Sequence, residues 1–109
     1  MIYELRTYTC VAGKLPRVLQ RFEQGMLALF AKHGIRSGPI LTTLVGPSSR
    51  ELTYWLAWDS LAQREQCFAA LRAEPELQKL MGESERDGPI VEDISSRLLQ
   101  AAPFSENRT

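Results

Sequence analysis

Glu4, Arg6 and Tyr8 place a carboxylate, a guanidinium and a phenol at alternate positions near the start of the chain. In a strand, residues two apart share a face, so these three project together with Ile2. Charges that become buried must be paired. Arg6 and Glu4 can therefore form a structural ion pair. Alternatively, Arg6 can anchor a carboxylate or phenolate ligand through its planar fork while Tyr8 orients it. His33 is the single histidine. Its imidazole titrates naturally near neutrality and could act as a general base at the mouth of a cavity. Its place at the end of a helical stretch equally suits interaction with the last carbonyls of that helix. Tyr54, Trp55 and Trp58 form an aromatic group that suits a core or an interface. Tyr54 and Trp58 could also line a ligand pocket, Trp58 at its mouth just before Asp59-Ser60.

Other chemistries find little support. Cys10 and Cys67 are too few for a disulfide framework and match no zinc or CxxC spacing. Neither has the histidine beside it in sequence, so neither is an activated nucleophile. No GxGxxG, Gly-Lys-Ser/Thr or HExxH motif occurs, and one histidine cannot supply a multi-histidine metal site. No metal and no cofactor is therefore expected. Haem, which needs only one axial ligand, would have His33 alone to use.

Those side chains must be positioned by one small domain. The chain has 109 residues, of which 44% are hydrophobic and 24% charged, an ordinary globular balance. Its 13 basic and 13 acidic residues cancel, which removes the electrostatic footprint of nucleic-acid binding. Apolar runs fall far short of the ~20 residues needed to span a bilayer. The opening Met1-Ile2-Tyr3-Glu4 shows no basic segment followed by an apolar one. A cytoplasmic location is expected.

Hydrophobic periodicity reads as strand, helix, strand, strand, helix, strand. Ile2 to Thr9 is the first strand. Leu15 to His33 is a helix with Pro16 in its first turn and Gly34 beyond its end. Gly25 sits inside that helix, either as a cost or as a close packing contact. A second strand is expected over Ile40 to Val45 and a third over Leu52 to Trp58. Ser60 followed by Gln63 is a capping-box pattern for a helix over Leu61 to Ala73. Pro75 opens a short helix to Leu80 or Met81, Gly82 to Pro89 is a charged loop, and Ile90 to Leu99 is the last strand. Residues 1–101 form the domain and 102–109 a polar tail.

This βαββαβ order folds as two right-handed units sharing one antiparallel sheet, with both helices on one face. The strand from Leu52 to Trp58 carries large apolar side chains on both faces. The face without helices is thus an apolar patch of the size that marks an interface, and a two-fold homodimer would cover it. Because both faces carry aromatics, the sequence leaves open which one the partner covers.

The residues also carry a resemblance. Ile2-Tyr3-Glu4-Leu5-Arg6-Thr7-Tyr8, Gly13-Lys14-Leu15, Phe22, Lys32-His33-Gly34, Gly46-Pro47 and Trp58-Asp59-Ser60-Leu61-Ala62-Gln63-Arg64-Glu65 resemble the NIPSNAP family from Met1 to about Leu99. The resemblance implies a dimeric α/β barrel: two ferredoxin-like four-stranded sheets face to face, with a cavity between sheet and helices in each subunit. Relatives in that superfamily include cofactor-free monooxygenases, haem-degrading enzymes, lactone isomerases and binding proteins. At Tyr54 and Leu56 the chain departs from the family pattern, which has His and Trp in the third strand. No imidazole is offered there for a metal or a base. Three functions follow as expectations: a homodimer binding a small organic molecule through Arg6, Tyr8, Tyr54 and Trp58; a cofactor-independent oxygenase or isomerase with His33 as base; or a structural interaction module.

Overall fold

The computed structural model describes residues 1–105. The first strand, β1 (Ile2–Cys10), lies at the centre of one antiparallel sheet. On one side it pairs with β4 (Glu51–Trp58), on the other with β5 (Val91–Gln100). The outer side of β4 carries two short strands, β2 (Arg36–Ser37) and β3 (Leu41–Thr42). The sheet thus has five strands where four were expected, in the strand order of a ferredoxin-like fold.

The extra strand is the expected second strand cut in two and moved. Gly38 and Pro39 separate the halves. Proline has no N–H to give the ladder. Gly38 lies against the indole of Trp55, and a Cβ there would stand 2.2 Å from Cε2 of that ring. The close approach bends the strand, and pairing ends at Thr42 instead of Val45. Leu44 and Val45 are left in the following turn region with 96% and 95% of their surface exposed.

The first helical stretch runs as α1 (Leu15–Arg21), a π-helical segment (Phe22–Met26) and α2 (Leu27–Lys32). The sequence predicts one regular helix here. The interruption centres on Gly25, where an added Cβ would come within 2.9 Å of both Leu80 methyl groups. Gly25 is therefore a packing contact with α4 (Pro75–Ser84). The stretch ends as its sequence requires. Gly34 adopts φ +70°, its N–H reaches the Ala31 carbonyl, and the Ile35 N–H reaches that of Phe30, a Schellman closure. Ser60 caps α3 (Leu61–Arg72) by accepting the Gln63 N–H at 3.0 Å. The reciprocal bond is displaced by one residue: the Asp59 N–H, and not that of Ser60, donates to the Gln63 side chain. The chain then continues through β5 to a 3₁₀ turn at Pro103–Ser105. Of the polar tail expected over 102–109, residues 106–109 lie outside the described residues.

The core lies between the sheet and the first helical stretch. Leu52, Tyr54, Leu56 and Trp58 of β4 are buried under it together with Val18, Phe22, Met26, Leu29 and Phe30. Tyr54 stands 5.2 Å from Phe22 and 6.1 Å from Phe30 between ring centres, within the range of favourable edge and tilted contacts. The opposite sheet face has no layer. There Tyr3 meets Trp55 edge-on at 6.0 Å, and Trp55, Leu99 and Leu41 remain 37%, 40% and 51% exposed.

Candidate functional site

Register determines which side chains share the helix-covered face. Across β4, β1 and β5 the rows are Leu56–Glu4–Leu98, Tyr54–Arg6–Ser96 and Leu52–Tyr8–Ile94. Glu4, Arg6 and Tyr8 therefore point toward the helices, away from the open sheet face. The β5 members behave differently from the others. Ile94 and Leu98 stay 42% and 49% exposed, and Ser96 is exposed as well. The helical layer thus leaves the β5 end of these rows open to solvent.

Glu4 is fully buried and is the acceptor on which the polar cluster converges. Its Oε1 accepts Trp58 Nε1 at 3.0 Å and Arg64 Nε at 2.8 Å. Its Oε2 accepts Arg64 Nη2 at 3.1 Å, Arg6 Nη1 at 3.2 Å and the hydroxyl of Ser96. Burial alone would raise the carboxyl. The hydrogen bonds from Arg64, Ser96 and Trp58 and the charge of Arg64 overcome it and hold Glu4 at about 2. The capping by Ser60 sets the phase of α3 so that Arg64 and Phe68, four apart, face the Glu4 cluster together. The Phe68 ring lies 5.2 Å from Trp58 and beneath two guanidiniums, Arg64 at 5.0 Å and Arg6 at 5.8 Å.

Arg6 donates Nε to the Tyr54 hydroxyl at 3.1 Å and sends Nη1 to Glu4 and, at 3.4 Å, to Ser96. Its second Nη has no hydrogen-bond partner among the described residues. The Tyr54 and Tyr8 hydroxyls lie 3.1 Å apart. Burial pushes the Tyr54 phenol up, and neighbouring Tyr8 adds to the rise, so it stays neutral. One O–H of the pair spans the gap between them, which leaves the other O–H without an acceptor among the described residues. Arg64 gives its remaining Nη1 to the exposed Glu65 at 2.7 Å, so the guanidinium left with an unused N–H₂ is that of Arg6.

The structure brings Arg6, Tyr8, Tyr54 and, through Glu4, Trp58 into one cluster. His33 stands apart from it. Its Nε2 lies 3.4 Å from Oε1 of Glu74, at the start of α4, and Lys32 engages the same carboxylate. The lysine hydrogen bond lowers the Glu74 carboxyl further. Arg64, Phe68 and Ser96 are the members that residue types alone did not single out. The Ser60 cap and the strand alternation opposite Arg6 are the sequence signals that place them. Among the described residues, no group of three or more His, Cys, Asp and Glu is placed to hold a metal ion. Cys10 and Cys67 are both free thiols, Cys10 pushed up by burial. No helix among the described residues is long and apolar enough to cross a membrane.

Solved structures share the fold over almost the whole chain. Protein Atu4242 from Agrobacterium tumefaciens superposes with a TM-score of 0.84 at 26% identity, over 97% of this chain and 98% of that one. An uncharacterised NIPSNAP domain protein from Burkholderia xenovorans gives 0.82 at 26% identity, over 95% and 97%. A candidate antibiotic biosynthesis monooxygenase from Deinococcus radiodurans gives 0.61 at 16% identity, over 94% and 93%, a likeness of fold alone. No curated protein sequence matches the chain. The NIPSNAP family model matches residues 3–106, nearly the entire length, and the chain belongs to the NIPSNAP family.

Proposed function

We propose that this NIPSNAP domain works as a homodimer and binds a small organic anion beside the Glu4 cluster, over the exposed β5 side chains. The observation that carries this reading is the surplus of donors around Glu4. Arg6 and Arg64 share one buried carboxylate, and both a guanidinium N–H₂ and a phenolic O–H remain unused. An incoming carboxylate, phenolate or enolate would satisfy them with charge-assisted bonds. Phe68, Ile94 and Leu98 supply apolar surface for the body of such a molecule. The same chemistry favours binding over proton abstraction. Glu4 is a poor base at about 2, Tyr54 is held neutral, and His33 stands outside the cluster, beside Glu74. A general base wants a pKa near the working pH.

Benzoate is a suitable probe, followed through Trp58 fluorescence, alongside native mass spectrometry of freshly purified protein. Saturable binding that weakens at least about tenfold in Arg6→Met, a loss of roughly 1.4 kcal/mol, supports the site. Equal affinity in Arg6→Met, or no saturation together with no retained compound, overturns it.

A further inference from the structure

A second set of guanidiniums lies away from that cluster, where α1 meets the end of α4. Arg17 donates Nε to the Ser84 carbonyl and Nη2 to that of Glu83, both at 3.0 Å. This satisfies carbonyls that the end of α4 leaves open, and it accounts for Arg17. It does not account for Arg21, one turn further along α1. Arg21 is only 5% exposed. Its Nη1 reaches the Ser84 hydroxyl at 3.2 Å, and Oε2 of Glu85 lies 3.6 Å away. Its Nε is buried with no hydrogen-bond partner among the described residues. An apolar side chain could fill the same position and strand no donor.

Arg17, Arg21 and Arg86 line one cavity of about 270 Å³ with Glu83, Ser84 and Gln20. Even with Glu83 and Glu85 counted against them, the three guanidiniums leave one positive charge in excess. We propose that this cavity is an oxyanion site for a phosphate group, gripped by the Arg21 guanidinium from within and by Arg17 and Arg86 from the rim. Guanidinium forks match tetrahedral oxyanions through paired N–H donors, and the cavity has room for a small phosphate compound and little more. It shares no residue with the Arg6 cluster and stands or falls independently of it.

The test is NMR of the arginine Nε–Hε resonances during titration with inorganic phosphate, with ionic strength held constant by chloride. Saturating shifts of the Arg21 and Arg17 signals are expected. The affinity should drop about tenfold in Arg86→Ala, an exposed change that leaves the fold intact even if Arg21→Ala does not fold. Shifts that never saturate, that chloride reproduces, or that persist unchanged in Arg86→Ala overturn the site. Glycerol 3-phosphate titrated in parallel identifies the source: tighter binding than inorganic phosphate points to a phosphorylated metabolite, weaker binding to the free ion, and either supports a phosphate site.

Discussion

At the scale of single residues, Glu4 is the group on which most depends. Replacing it by glutamine leaves Arg6 and Arg64 facing each other without the charge that unites them. Because both guanidiniums keep some contact with solvent, Glu4→Gln should cost about 3 kcal/mol, the lower end for breaking a buried pair, measured by urea denaturation. The pH dependence has a definite sign. The folded carboxyl sits at about 2 against an ordinary 4.5, so ionised Glu4 favours the folded state. That contribution is complete above 4.5 and is lost as pH falls toward 2. Wild type should therefore lose stability more steeply than Glu4→Gln across that window. Parallel curves would mean that Glu4 is not the titrating group. Much of this cluster was legible in the sequence, because strand alternation alone puts Glu4, Arg6 and Tyr8 on one face. Arg64 was not, since a charged residue on an exposed helix reads as solvated until the strand beneath it is known to offer a buried carboxylate.

At the scale of elements, local signals served best where they concern the backbone itself. Gly34 and Ser60 end and begin helices for steric and hydrogen-bonding reasons that need no tertiary partner. The π-helical segment and the split strand arise differently. Each follows from a glycine pressed against a side chain distant in sequence, Leu80 for Gly25 and Trp55 for Gly38. No window of sequence contains both partners. Gly38→Ala should accordingly force the Trp55 indole aside. Overpacking of this kind costs about 1–3 kcal/mol, and the displaced ring should change its fluorescence. Unchanged stability and emission would show that β2 can move away from the indole.

At the scale of the whole molecule, the uncovered sheet face is the surface that bears on the proposed homodimer. Trp55, Leu99 and Leu41 are exposed there beside the half-buried Tyr3 and Leu5, an apolar patch of the kind that can mark an interface. The proposed homodimer places this face, and not the Arg6 face, against the partner. Leu99→Glu should then shift sedimentation from dimer to monomer while leaving benzoate binding measurable, because Leu99 and Arg6 point to opposite faces of the sheet. Sedimentation that the substitution leaves at the dimer mass would place the contact elsewhere.

The pairing of β1 with β5 has a consequence for how the protein is made. Ile2 lies opposite Gln100, and the middle strand of the sheet is the first to be synthesised. Its two neighbours arrive from the ribosome much later, β5 last of all. Until β4 arrives both edges of β1 are unpaired, and until β5 arrives one still is, a state prone to association with other chains. The sheet can be completed only after β5 has left the ribosome. A circularly permuted chain, with a short linker from Gln100 to Ile2 and new ends in the exposed turn around Leu44 and Val45, would make β5 and β1 neighbours in sequence. It would exchange the longest loop closure in the molecule for a hairpin.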